Sequence, residues 1–346
     1  MSTDIHQHNK QLVGKFRAAL YDSDEVVLQN QLCKLFAPDC EIHLAFPFED
    51  LDGPDGLFDQ GYKPLLAAIP DLERRDFIVM AGRAITGDDD DGDDWVGCAG
   101  FYMGLFERPW LDIPPTQHPV AMRYHEFFRI KHDQVVEMQA LWDIPQVMMQ
   151  ANAWPMTPSL GVEWLVPGPA TQHGIITTPY DQAKADASVR LVLDMLTAMG
   201  KHPQGGGPEV MELDRYWHPR LNWYGPAGIG TVRRISGFRN WHQIPFLKAL
   251  PDREAILGQG ALFGDGDYVG FTAWPGMRMT ISGDGWLGIA PSNQAITMRS
   301  LDFWRCENNQ IRENWVLVDL LHVYDQIGVD VFARMREMTH ARQQRV

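Results

Sequence analysis

The chain is short of several things, and each shortage rules against a class of protein. Its 346 residues include four cysteines, Cys33, Cys40, Cys98 and Cys306, with no CxxC or zinc-knuckle spacing. They read as reduced, mostly buried thiols rather than a disulfide framework. No stretch reaches the roughly 18 apolar residues that a membrane span needs. The N-terminal MSTDIHQHNK has no apolar run either, so a cytoplasmic protein is the expectation. Basic residues are outnumbered, 30 Lys and Arg against 45 Asp and Glu, for a formal net charge of −15. That disfavours nucleic acid and anionic membranes as partners, since both need a basic surface. A neutral small molecule, or an anion held by a few local arginines, remains open. There is no HExxH, and no GxGxxG or P-loop lies between a strand and a helix. Gly205–Gly206–Gly207 precedes Pro208 and reads as a loop. Neither a metal nor a nucleotide cofactor is expected.

What the chain does have is one pattern written twice. Trp110–Asp143 and Trp286–Asp319 align without a gap at an offset of 176 residues. Trp110 pairs with Trp286, Pro115 with Pro291, Arg123 with Arg299, Glu126 with Asp302, Phe127 with Phe303 and Asp143 with Asp319. Upstream, Phe36–Ala37–Pro38 matches Trp217–His218–Pro219 and Ile69–Pro70–Asp71 matches Leu250–Pro251–Asp252, at an offset of 181. A register held over this length marks a duplication. It predicts two domains, 1–150 and 180–346, joined by the packed linker 151–179, whose Trp154, Trp164 and Leu165 are too bulky for a free tether.

In the first copy the apolar spacing predicts helices over Asn9–Tyr21, Asp24–Phe36 and Tyr62–Ile69. The period then becomes extended, with strands over Phe77–Ile85, Trp95–Leu105, Pro119–Ile130 and Val135–Trp142. In the second copy helices are expected over Asp181–Met199, Glu209–Trp217 and Asp325–Thr339. Its strands are expected over Ala255–Phe263, Tyr268–Trp274, Ala295–Cys306 and Gln310–Leu317. The six aspartates of residues 87–94 lack the glutamate that closes a calcium loop and read as a solvated hairpin end. Helices followed by an antiparallel sheet make each copy an α+β domain.

The order of helices, PD closing the third helix, W-x-x-I-P-P-T, and then E-F-F-R-I…V-V-E…W-D resembles the SnoaL-like group of the NTF2-like superfamily. The resemblance covers roughly residues 9–150 and 181–338. It implies a cone-shaped α+β barrel, a curved antiparallel sheet packed on three helices, duplicated in tandem. It also implies a deep pocket, metal- and cofactor-free proton-transfer chemistry of the polyketide cyclase type, and sheet-to-sheet pairing. Within one chain that pairing would give a pseudo-dimer, with room for a further homo-oligomer. Carried over by position, the family's acidic residue falls on Glu126 and on Asp302. The family's Gly-x-His-x-Gly histidine is replaced: the first copy has Tyr102 there, and the second has Ala273–Trp274–Pro275–Gly276, three residues longer before its turn.

In an extended strand Met122, Tyr124, Glu126 and Phe128 share one side and Arg123, His125, Phe127 and Arg129 the other. An acid among Met, Tyr and Phe would have its pKa raised and could act as a general acid or base. It could equally pair with an arginine or cap buried backbone. The catalytic candidates are Glu126, Asp302, Tyr102 as an oxyanion donor, and His125 or His242 as the partner acid. His125 could instead be a satisfied histidine on the far face. The candidates for substrate contact are His43, Tyr124, Trp223, Tyr224, Trp241, Trp304 and Trp315. The expected ligand is a small, hydrophobic, oxygenated molecule. The leading expectation is an acid/base enzyme of cyclase, isomerase or lyase type. The alternatives are a binding protein without chemistry and a pseudo-dimer with degenerate pockets.

Overall fold

The computed structural model describes residues 4–85, 92–202, 207–256, 258 and 260–343; most of the acidic run lies outside them. The N-terminal helix Ile5–Tyr21 is capped by Asp4, whose carboxylate accepts from the His6 and Gln7 amides, both at 3.1 Å. Its stripe Val13, Phe16 and Leu20 is buried. After helix Glu25–Leu35 come strands β1 (Phe36–Leu44) and β2 (Glu49–Asp52). A continuous helical run, 53–68, includes a π-helical turn at Leu57–Tyr62. Then follow β3 (Glu73–Arg83), β4 (Asp94–Leu105), β5 (Pro119–Lys131), β6 (Gln134–Trp142) and helix Ile144–Gln150.

The second copy repeats this order. Helix Gln182–Met199 leads through short helices at Pro208–Met211 and Leu213–Tyr216 into β7 (Trp217–Tyr224) and β8 (Thr231–Arg233). Another helical run, 234–249, has its π-helical turn at Arg239–Gln243. The remaining strands are β9 (Glu254–Ala255), β10 (Gly260–Asp265), β11 (Tyr268–Thr280), β12 (Ala295–Glu307) and β13 (Gln310–Val318). The expected C-terminal helix is two helices, Leu320–Gln326 and Val331–Gln343, separated at Gly328, whose φ of +74° suits only a residue without Cβ strain. The single strand expected over Ala255–Phe263 is likewise divided between β9 and β10.

The first sheet has the order β2-β1-β6-β5-β4-β3; the second runs β10-β11-β12-β13-β7-β8, with β9 pairing β11. Within each, one neighbour pair is parallel, β1 with β6 and β13 with β7. The α+β class holds, but the cone-shaped barrel does not. Each sheet is open and mixed rather than closed, strongly curved and antiparallel. Edges that closure would have removed are covered instead. Linker residue Ile175 bridges β3 at Val79, linker residue Val162 bridges β8 at Thr231, and Ile85 just past β3 bridges β10 at Leu262.

The two sheets meet face to face. Phe127 and Phe303, equivalent residues, stack on each other at 4.8 Å and 19°. Around them, equivalent contacts recur in reverse: the Phe46 amide donates to Asp319 and the Ala227 amide to Asp143, both at 3.0 Å. A pseudo-twofold axis thus relates the copies, and the fused chain forms its own sheet-to-sheet pair.

Candidate functional site

Side chains in register across a sheet share a face. In the first sheet Arg74 pairs with Tyr102, Tyr102 with Met122, and Tyr124 with Trp142, so all lie on the helix-covered face with Glu126. Glu126 is fully buried there and saturated with donors. Arg74 Nη1 donates at 2.6 Å, Tyr102 at 2.7 Å, Trp142 Nε1 at 3.1 Å and Tyr62 at 3.4 Å. Arg74 also pairs with Asp76 at 3.1 Å, and Asp76 accepts from Arg17 at 2.9 Å and from Tyr124 at 2.8 Å. Burial works against the Arg74 charge, yet Asp76 and Glu126 hold its pKa above the ordinary value. Asp76 is lowered despite burial, by Arg74 and Arg17. Burial first, then Glu126, pushes the Tyr62 and Tyr102 phenols up. Tyr62, Tyr102, Tyr124, Phe16, Phe36 and Phe128 fill this interior, each below 2% exposure. It is a closed ion-pair core, and its acid is committed.

The second interior has the same frame with every donor replaced. Met277 pairs with Met298 and Ala255 with Met277, so Met277 stands where Tyr102 stands and Ala255 where Arg74 stands. Val318, opposite Ser300, takes the place of Trp142 opposite Tyr124. Gln243, closing its π-helical turn, takes the place of Tyr62. Asp302 is left with one contact, Ser300 Oγ to Oδ2 at 3.1 Å, while Oδ1 is buried without a partner. Burial pushes its pKa up to about 8, against a small opposing effect of Ser300. A carboxyl group that is mostly protonated at neutral pH, with one oxygen free, is a proton donor in waiting.

The walls around it are aromatic. Trp304, Asn314 and Trp223 form one row across β12, β13 and β7, on the face of Asp302. Trp223 stacks on His242 at 4.1 Å and 19°, and His242 also meets Phe238 and Phe246. Burial lowers the His242 pKa to about 3, so the ring is neutral. Trp223 lies two strands from Trp304, about 10 Å at the usual strand spacing. His242 therefore bounds the far end of the row instead of touching Asp302. Trp304 Nε1, Trp217 Nε1, Gln243 Oε1 and Arg239 Nε are buried without partners.

Other expected residues lie elsewhere. His125 is on the opposite face from Glu126, as strand alternation allowed. Its Nδ1 contacts the Leu301 carbonyl at 2.7 Å and its ring meets Phe303 edge-on. Burial and then Arg123 depress its pKa well below the ordinary value. Trp315 and Tyr224 stack on each other at 5.3 Å in the sheet-to-sheet layer, where Trp315 donates to Pro167 and Tyr224 to Glu313. Both share the face of Phe303, so neither lines the second interior. Trp241 is 54% exposed, and His43 is on the face of β1 turned toward the second copy, stacked on Trp274 at 5.8 Å. Tyr102 and Tyr124 belong to the first ion-pair core, not to an open oxyanion site. Residues 274–276 form a bulge opposite Arg299, where the first copy has Phe101 alone opposite Arg123, so the bulge holds two of the three extra residues. An open groove of about 440 Å³ between the Phe46–Pro47 turn and helix Val331–Gln343 includes neither acid.

Sequence reading missed Arg74, Asp76 and Tyr62, the residues that decide the fate of Glu126. Their signal was available: at the offset of 181, Arg74 aligns with Ala255 and Tyr62 with Gln243.

A family model described as SnoaL-like polyketide cyclase matches residues 11–151 and again 209–327. Among solved structures, IdmH of Streptomyces antibioticus, a proposed polyketide cyclase, is 20% identical. It covers 42% of this chain and 98% of its own, with a TM-score of 0.33. A proposed SnoaL-like polyketide cyclase from Jannaschia sp. CCS1 is 18% identical over 43% of this chain and 94% of its own, TM-score 0.34. AclR of Streptomyces galilaeus, a proposed hydroxylase, is 19% identical over 44% and 85%, TM-score 0.33. No curated protein matches.

Proposed function

Because the chain belongs to the SnoaL-like polyketide cyclase family, we propose that it is an acid/base enzyme of cyclase, isomerase or lyase type with one working centre, in the second copy. The observation that carries this reading is Asp302: a half-buried side chain whose Oδ1 is buried without a partner and whose pKa is raised. In its protonated form Asp302 delivers a proton to a carbonyl or leaving oxygen; once ionised it takes one from carbon. The row Trp304–Asn314–Trp223, with neutral His242 at its end, would seat a small, flat, largely apolar oxygenated substrate. The chemistry needs no cofactor, since proton transfer is all that these residues supply. In this reading the first copy is a structural partner, because Glu126 is already neutralised by Arg74 at 2.6 Å.

The test is α-deuterium incorporation into 2-tetralone in D₂O, a ketone whose enolisation asks for this one step. Wild type should exceed buffer, Asp302→Asn should fall by about 10²–10⁴-fold, and Glu126→Gln should retain the rate per folded molecule. If Asp302→Asn and Glu126→Gln both exchange at the wild-type rate, the mechanism is wrong.

A further inference from the structure

The face of the first sheet that meets the second copy carries, on β1 and β6, a donor set that the proposed chemistry does not use. β1 and β6 run parallel with Glu41 opposite Glu137 and His43 opposite Gln139. Side chains two apart share a face, so Glu41, His43 and Glu137 project together on the side away from Glu126. One donor atom from each lies within 4.8 Å of the others. A divalent first-row cation with bonds of about 2.0–2.2 Å holds its ligands up to about 4 Å apart, so a small closure of these side chains completes a site.

Two of the three donors are braced from behind, as metal ligands commonly are. His43 Nδ1 is 2.7 Å from Asp50 Oδ1; donating there fixes the tautomer that leaves Nε2 as the lone-pair nitrogen. Glu137 accepts from Arg129 at 2.7 Å and from Gln139 at 2.6 Å, one donor on each oxygen, with lone pairs to spare. The charges are also out of balance. Glu41, Asp50 and Glu137 are set against the single guanidinium of Arg129, and among the described residues Glu41 has no ion pair. The second copy shows what the same positions look like without such a role. Asn222 and Tyr224 replace Glu41 and His43, and Tyr224 donates directly to Glu313.

We infer that Glu41, His43 and Glu137 form a binding site for one divalent transition-metal ion of the zinc or manganese kind, with Asp50 orienting the histidine. One imidazole and two carboxylates favour such ions over calcium, which takes oxygen alone. The ion would tie β1 to β6 beside Trp274, which stacks on His43 from the second copy, and so brace the contact between the copies.

The full-length protein, freed of metal on a chelating resin, is titrated with zinc chloride by calorimetry at pH 7.5. One saturable site per chain at micromolar affinity or tighter is expected. His43→Ala and Glu137→Gln should each abolish it, and Asp50→Asn should weaken it about 10–100-fold. Glu41→Gln, a change at an exposed side chain that leaves the fold intact, should weaken it at least tenfold. His8→Ala, at a ring that lies 2.9 Å from Asp133 and is not part of this donor set, should leave it unchanged. Absence of a one-to-one event, or one that survives His43→Ala and Glu41→Gln with unaltered affinity, overturns the site.

Discussion

Glu126 and Asp302 stand at the same point of the same strand in two copies of one domain, yet their surroundings are opposite. Four donors converge on the first, and the nearest is a buried guanidinium. The second has one hydroxyl. The strand frame is shared: both strands pair antiparallel on each side, and both helical runs contain a π-helical turn, although the second copy adds the 274–276 bulge. The difference lies in five side chains, Arg74, Tyr62, Tyr102, Tyr124 and Trp142 against Ala255, Gln243, Met277, Ser300 and Val318. A fold of this kind does not fix the partners of its central acid; the side chains on the neighbouring strands and helix do.

The comparison breaks most sharply at Arg74. Arg74→Ala strands Glu126 as a buried carboxylate without a cation, leaves Asp76 with Arg17 alone, and should cost about 3–5 kcal/mol in urea unfolding. The second copy tolerates alanine at the equivalent position because its acid can stay protonated. The pseudo-symmetry itself is tested by Phe127→Ala and Phe303→Ala. Each removes half of one stacked pair, so each should cost about 3–5 kcal/mol, and the two losses should match within experimental error. A large inequality would mean that the interface is not shared evenly.

Asp302→Asn sharpens the contrast through pH. The folded pKa of Asp302 is raised to about 8, above an unfolded value of about 3.9. The unfolded chain therefore gives up this proton first, and the group's contribution to stability, full below about 3.9, is lost as pH rises through about 8. The Asn variant does not titrate, so its melting temperature should gain on wild type progressively from pH 5 to pH 9. A constant difference over that range would show that Asp302 is ionised throughout. The smallest effect belongs to Ser300→Ala. Its hydroxyl favours the ionised form, so removing it should move the Asp302 midpoint upward by about 1 unit or less. Carboxyl-carbon NMR would read that shift.

Much of this was legible before any coordinates. The duplication, the α+β class and most element boundaries follow from a repeat register and from apolar periods, which are local properties. β5 begins at Pro119 and β11 at Tyr268 as expected, although β11 runs on to Thr280. The inward acids were legible too, because strand alternation fixes which neighbours share a face. Closure was not. Whether a sheet closes depends on how its edges are met, and here linker residues Val162 and Ile175 meet them, from a segment with no strand period. Within the first copy alone the partners of Glu126 are hidden for a similar reason, and only its alignment with the second singles out Arg74 and Tyr62. Arg74 reaches it across two strands, a distance that no window along the chain contains. Tyr224 and Trp315 were assigned to a pocket because aromatic character alone does not say which face of a sheet is the interior.

The Phe127–Phe303 stack has a consequence for inheritance. A homodimer encoded once must write every substitution into both protomers, so neither pocket can change alone. Joining the two halves in one chain lifts that constraint. A change that seals one interior, such as an arginine at position 74, leaves the other untouched. The sealed half still supplies the sheet face against which its sibling folds. Under the proposed function, its stoichiometric signature would be one ligand equivalent at the Asp302 interior per chain, where an unfused pair of like domains would take two.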